Sequence, residues 1–355
     1  MTRSLKPLVT SLLSASMLVF SQYANAGNED RAGQAGATEL LINPWARSSG
    51  WGGINIANTN GLESTFNNVA GLAFTKKTEI GFTYTNWLKG SDISINTFGL
   101  AQKVGESGAL GLTVMSMNFG DIQVTTVDQP EGGVGTYKPQ FLNIGFSYAK
   151  AFSNAIYGGL TVKIISQSLA DIKSQGVCFD AGIQYITGNN EEKDNLKFGI
   201  SLKNVGTPMR FSGDGLAFRG DPPVPGSYQL TIESRAEKFE LPSLVNIGVS
   251  YDIKPAENHL IVAAASFTSN SFTYDQYGLG AEYSFRKMFF ARVSYLMEKN
   301  MNSDTEKLTA LSGLNAGIGV DVNLGKGGKK LGIDYSYRST DFFDGSHAIG
   351  VRIML

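Results

Sequence analysis

The chain has a single cysteine, Cys178, in 355 residues, which excludes a disulfide scaffold. Charge is scarce: 17% of residues are Asp, Glu, Lys or Arg, against about 25% in soluble domains. Lys and Arg number 30 and Asp and Glu 31, for a net charge of −1, so no basic field exists to bind nucleic acid. Histidine occurs at His259 and His347 alone, and no HExxH or GxSxG motif is present. Beyond the first thirty residues no apolar run approaches the roughly 18 that a membrane helix needs. With apolar residues at 42%, slightly below the usual 45–50% or so, low charge is not matched by extra grease. Aromatics at 11% exclude disorder. Glycine is in excess, 42 residues against a usual share of about 7%.

Residues 1–26 read as a secretory signal peptide. Arg3 and Lys6 form the charged start, Leu8 to Phe20 is mostly apolar, and Ala24-Asn25-Ala26 predicts cleavage after Ala26. From about Lys76 the sequence alternates with period two. Ile80, Phe82 and Tyr84 oppose Glu79, Gly81 and Thr83; Leu142, Ile144, Phe146 and Tyr148 oppose Asn143, Gly145 and Ser147. Leu196, Phe198, Ile200 and Leu202 oppose Lys197, Ser201 and Lys203. Each such segment is a strand with one apolar and one polar face.

The segments are about twice the usual 5–6 residues of soluble strands, and Tyr and Phe recur near their ends as in aromatic girdles. In a bilayer every backbone polar group must pair internally, so these strands must close. The expected fold is all-β, a transmembrane antiparallel barrel across residues 76–355. Strands are predicted near 76–88, 91–104, 107–118, 137–151, 155–169, 174–187, 195–205, 243–253, 258–269, 273–285, 287–298, 310–324, 330–338 and 345–355, about fourteen and an even number, as such barrels have. Short connections follow every second strand and are assigned to the periplasm, long ones to the outside. Tyr228–Ala236 also alternates and is assigned to a hairpin in the long external loop. The chain closes on Ile349, Val351, Ile353 and Leu355 in alternation, a terminal strand of the kind read by outer-membrane insertion machinery, with Leu where Phe is commoner.

Residues 27–75 precede the first strand. Leu40, Leu41, Ile42, Pro44, Trp45, Arg47 and Trp51 suit a hatch folded into the lumen better than a solvated tail. Between the strands at 195–205 and 243–253, Met209, Phe211, Leu216, Phe218, Pro222 and Pro223 form either an exposed docking surface or a loop packed on itself. Asp180, Glu282, Arg292, Lys163, Lys197, Lys203, Asp321 and Asp334 fall on lumen faces, where they either pair with one another, the default for a polar lumen, or contact the hatch or a solute. Cys178, also on a lumen face, reads as a small packed residue rather than a nucleophile. No catalytic cluster, metal set or cofactor motif emerges, so an enzyme is not expected.

Two stretches carry a family resemblance. Residues 33–53 read GQAGATELLINPWARSSGWGG and residues 67–73 read NNVAGLA. They resemble the start of the PorV/PorQ family of the type IX secretion system, itself similar to FadL-type fatty-acid channels. The matching pieces are apolar Leu40, Leu41 and Ile42, then Pro44, Ala46 and Arg47, then Gly50, Gly52 and Gly53. Asn68-Val69-Ala70-Gly71 follows as the turn into the first strand, with Val where the family has Pro. Asn204-Val205-Gly206-Thr207-Pro208 and Leu241-Pro242-Ser243-Leu244 resemble recurrent family pieces. The resemblance implies an outer-membrane barrel with an N-terminal hatch. For PorV it implies a shuttle that collects secreted proteins from the translocon barrel, binds their C-terminal domain and presents them to a surface sortase-like protease. The alternative is a FadL-like channel for hydrophobic small molecules, with Leu40–Ile42 and Trp45 lining a pocket. Outer-membrane lipid is the expected surround in either case.

Overall fold

A computed structural model describes residues 28–187, 196–221, 229–303, 305–325 and 328–355. The predicted signal peptide, the connection near 188–194, and Pro222 and Pro223 lie outside the described residues. The strands are β1 (Thr78–Trp87), β2 (Ile93–Val104), β3 (Gly108–Asn118), β4 (Ile122–Gln123), β5 (Thr136–Tyr137), β6 (Gln140–Ala151), β7 (Ile156–Leu169), β8 (Ile172–Ile186) and β9 (Leu196–Gly206). They continue with β10 (Ala217–Gly220), β11 (Leu230–Glu233), β12 (Leu244–Ala256), β13 (His259–Asn270), β14 (Gln276–Phe285), β15 (Phe289–Glu298), β16 (Leu311–Asn323), β17 (Lys330–Thr340) and β18 (Ser346–Met354). Fourteen of them form one closed antiparallel barrel in which β18 pairs back onto β1. The remaining pairs, β4 with β5 and β10 with β11, are small hairpins in the two longest external loops. No helix of the described residues is long and apolar enough to cross a membrane.

The alternation sets which face meets lipid. Phe82, Phe146, Leu160, Ile183, Leu279 and Ile318 point out and are exposed, while Thr83, Ser147, Thr161, Gln184 and Ser284 point in and are buried. Barrel strands of 9 to 15 residues, rising about 3.3 Å per residue and tilted about 40°, cover an apolar band of roughly 25 Å. A basic side chain on the lipid face at mid-depth costs about 2–4 kcal/mol, which explains why charges at mid-strand sit on the inner face, while the outward Lys150 and Lys173 lie at strand ends.

Strand boundaries follow the alternation closely; the differences lie at loops. β8 begins at Ile172, so its connection to β7 is a two-residue turn at Ala170–Asp171, with Ala170 in the left-handed region (φ 48°). Of the segment Tyr228–Ala236, expected in a long-loop hairpin, Tyr228 lies outside the described residues, and Leu230–Glu233 pairs with Ala217–Gly220 and adds no spanning strand. The register between β8 and β9 shifts between Phe179 and Ala181. There Asn204 adopts φ 59°, its amide donates to Asp180 Oδ1 at 2.8 Å, and its side-chain amide donates to Pro242 O at 3.1 Å. A side chain thus replaces the ladder bond that the bulge forfeits.

Residues 28–75 run through the barrel from its external end to the periplasmic start of β1. Asn28 N donates to Asn270 O at the external end of β13, and Gly36 N to Glu240 O. Leu40 packs with Ala37, Ile165, Cys178, Met209 and Leu241. The chain then crosses the lumen. Trp45, Leu62, Phe66 and Leu72 join Ile95, Met115 and Met117 of β2 and β3 in one buried cluster, and Trp51 and Ile54 join Val262 and Ala264 of β13. The excess of glycine serves this crossing. A Cβ on Gly50 would stand 3.0 Å from Gly317 Cα of β16, so the short helix Ala46–Gly50 touches the wall backbone to backbone. Likewise a Cβ on Gly199 would stand 2.5 Å from Ile56 O.

Candidate functional site

The crossing segment divides the lumen. On its external side lies a vestibule of about 430 Å³ whose lining includes Leu41, Ile42, Phe66, Trp87, Met117, Phe119 and Phe141. Phe119 and Phe141 meet edge to face, ring centroids 4.7 Å apart. On the periplasmic side lie cavities of about 440 Å³ and 270 Å³. Between them the floor at Ala46–Gly53 is one chain thick: Ser49, Gly52 and Gly53 border the external vestibule, Arg47 and Trp51 the 270 Å³ cavity.

The apolar wall carries one cation at its edge. Arg338 of β17 lies over the Trp87 ring, 5.3 Å from its centroid, and donates from Nε to Asn315 Oδ1 at 3.3 Å. Among the described residues no carboxylate pairs with it. The other charged groups of the vestibule are engaged. Lys203 donates to Phe66 O at 2.7 Å, Glu39 accepts from Gln167 at 2.9 and 3.0 Å, and Glu298 accepts from Gln276 at 2.9 Å.

An ionic network holds the floor. Arg47 of the inner segment reaches Glu282 at 3.5 Å; Arg292 bridges Glu282 at 2.5 Å and Asp334 at 2.8 Å. Arg352 reaches Glu63 of the inner segment at 3.4 Å, Asp321 at 3.3 Å and Asp334 at 3.9 Å. Three guanidinium groups thus face four carboxylates, and all are largely withdrawn from water.

The hatch residues named from sequence occupy distinct places. Leu40, Pro44, Trp45 and Trp51 are buried; Leu41 and Ile42 border the external vestibule; Arg47 enters the ionic network. Trp45 donates from Nε1 to Thr65 Oγ1 at 3.3 Å. The residues of the external loop separate. Met209 is 1% exposed in the cluster around Cys178, so its apolar surface is spent on packing and is closed to docking. Phe211 packs on Phe239 with centroids 5.7 Å apart, Leu216 is half-buried, and Phe218 is exposed opposite Ile232. Several lumen charges pair with one another: Lys163 with Asp180 at 2.5 Å, Lys197 with Asp252 at 2.7 Å, and Arg292 with Glu282 and Asp334. Sequence reading passed over Glu39, Glu63, Arg338 and Arg352. Arg352 had a signal: it alternates with Ile349, Val351 and Ile353, which places it on the inner face of the last strand.

No protein-family model matches the chain, and no curated protein matches it in sequence. Among solved structures it is similar to the Pseudomonas putida toluene transporter TodX, with TM-score 0.53 and 10% identity over 87% of this chain and 96% of that one. A TodX monoaromatic hydrocarbon channel lacking S2 and S3 gives TM-score 0.52 and 12% identity over 87% and 97%. A Pseudomonas aeruginosa FadL homologue gives 0.49 and 12% over 86% and 96%. At such identities the TodX likeness establishes the architecture alone: the chain has the fold of an outer-membrane channel barrel.

Proposed function

We propose that the chain is an outer-membrane channel for small hydrophobic solutes, taken up through the external vestibule. The observation that carries this reading is an external vestibule with one apolar wall, formed by Ile42, Trp87, Met117, Phe119 and Phe141, and polar side chains such as Asn246, Thr268 and Gln276 around the rest, seated on a floor one chain thick. The fold shared with TodX, described as a toluene transporter, supports it. Arg338 refines the substrate class. A cation without a carboxylate partner at the edge of an apolar wall favours solutes with an anionic group on an apolar body over neutral hydrocarbon.

The test compares binding of an alkyl carboxylate with that of the alcohol of equal chain length. A hydrogen bond to a charged group contributes about 1.5–3 kcal/mol. Arg338→Met should therefore weaken the carboxylate by roughly tenfold or more and leave the alcohol unchanged. Equal losses for both would remove Arg338 from recognition. Absence of any uptake of either compound by cells bearing the protein would remove the channel reading itself.

A second reading, a secretion-system barrel that binds a secreted protein's C-terminal domain, draws support from the resemblance at residues 33–53. The exposed Phe218, Leu230 and Ile232 on the external hairpin also favour it. Recovery of the protein from native outer membranes with a very large translocon barrel, a sortase-like protease or secreted proteins sharing one C-terminal domain would support this reading. Recovery with none of them would count against it.

A further inference from the structure

The 440 Å³ cavity at the periplasmic end shares no lining residue with the external vestibule. Its lining combines apolar Phe74, Ile186 and Met354 with Lys76, Lys77 and Lys330. None of these three ammonium groups pairs with a carboxylate among the described residues. Lys197, a fourth amine of the lining, is engaged by Asp252 at 2.7 Å.

Two acids also border the cavity, Glu79 and the carboxylate of Leu355, and neither forms an ion pair with the three lysines among the described residues. Glu79 turns to the inner segment, where its Oε2 accepts the Leu62 amide at 2.8 Å. The terminal residue Leu355 is tied to β1 through its own amide, which donates to Thr78 O at 2.9 Å. The neighbouring 270 Å³ cavity shares Glu79, Lys197, Lys330 and Met354 and adds Lys287, an amine without a carboxylate partner among the described residues; its four further carboxylates, Glu63, Asp252, Glu282 and Asp321, are engaged by Arg352, Lys197, Arg47 and Arg292. Amines at a membrane rim ordinarily extend to lipid headgroups or water. Here they border the lumen, next to an apolar surface.

We propose that this vestibule is a binding site for an anionic amphiphile, its apolar body on Phe74, Ile186 and Met354 and its anionic head among Lys76, Lys77 and Lys330. The proposal extends the channel reading to the exit side. Two sources share this chemistry, a carboxylated solute leaving the channel and an anionic lipid of the inner leaflet.

The experiment uses the whole protein in nanodiscs of neutral phosphatidylcholine with a spin-labelled alkyl carboxylate as probe. The triple variant Lys76→Gln/Lys77→Gln/Lys330→Gln is compared with Arg338→Met. Lys76 and Lys77 are exposed and Lys330 is half-buried, so the triple variant should keep the barrel's heat-dependent gel mobility. The wild type should show two immobilised populations. The triple variant should lose one of them, with affinity at that site reduced about tenfold or more and its salt dependence gone. Arg338→Met should lose the other. A triple variant that binds the probe like wild type at every salt concentration overturns the proposal. Exit-side binding by a protein that supports no uptake would retain this site while removing the channel reading. Repeating the titration with phosphatidylglycerol in the nanodisc separates the sources: displacement of the probe supports the site as a lipid site, and undiminished binding supports it as a solute site.

Discussion

Arg352→Met is expected to loosen the inner segment more than any other single change on the barrel wall. The guanidinium is 7% exposed and serves Glu63, Asp321 and Asp334 together. Methionine fills much of the volume but leaves those carboxylates facing only Arg47 and Arg292. Removing one partner of a buried ionic cluster costs about 3–5 kcal/mol, because the remaining charges stay desolvated. Glu63 lies on the inner segment, so the loss falls on the contact between segment and wall, while the ladder of β17 with β18 persists. The measurement is limited proteolysis in nanodiscs: residues 46–66 should become cleavable while the strands stay protected. A variant as resistant as wild type would show that apolar packing of Trp45, Trp51 and Leu62 suffices to seat the segment.

Excising residues 42–66 should have the largest effect on permeability. Barrels of 8 strands are filled by their own side chains, and those of 16–18 strands hold an aqueous channel. A fourteen-stranded ring with its crossing segment removed should therefore pass small sugars at least about tenfold faster than the intact protein in liposome swelling. Rates equal to wild type would place the barrier in the external loops instead. Trp51→Ala offers a milder variant that leaves the chain length intact. It should raise the rate without opening the pore fully, because Trp51 is 1% exposed between the floor and β13.

The barrel was legible because period two is a local property. Phe82 out and Thr83 in can be read from neighbouring letters; the segment around Leu230–Glu233 was kept out of the wall by the even strand count, whereas the pair β4 with β5 left no signal in the sequence. The crossing segment was legible in kind, since Trp45 and Trp51 have no use in a solvated tail. Its attachments were not, because they join residues far apart in sequence. Arg352 meets Glu63 across 289 positions, and Gln167 meets Glu39 across 128. Glycine was visible as a count, yet the purpose of Gly199 appears only once Ile56 stands 2.5 Å from where its Cβ would be. Met209 shows the same limit: its apolar side chain in an external loop packs on Leu40 and Cys178, which no local pattern couples to it.

The pairing of β18 with β1 has a bearing on assembly order. The seam joins Glu79 to Met354 and Asn86 to His347, so the ring can shut only after its final strand has been delivered. Residues 28–75 leave the ribosome before every strand, yet they run the length of the lumen and are gripped by Arg352 from the last one. The filling is thus synthesised first and clasped last. A precursor that closed before the segment had settled would be a hollow ring with no side door for it, since every strand of the wall is hydrogen-bonded to both neighbours. Wrapping the wall around the segment as strands are added spares the chain from being threaded through an end of a finished ring.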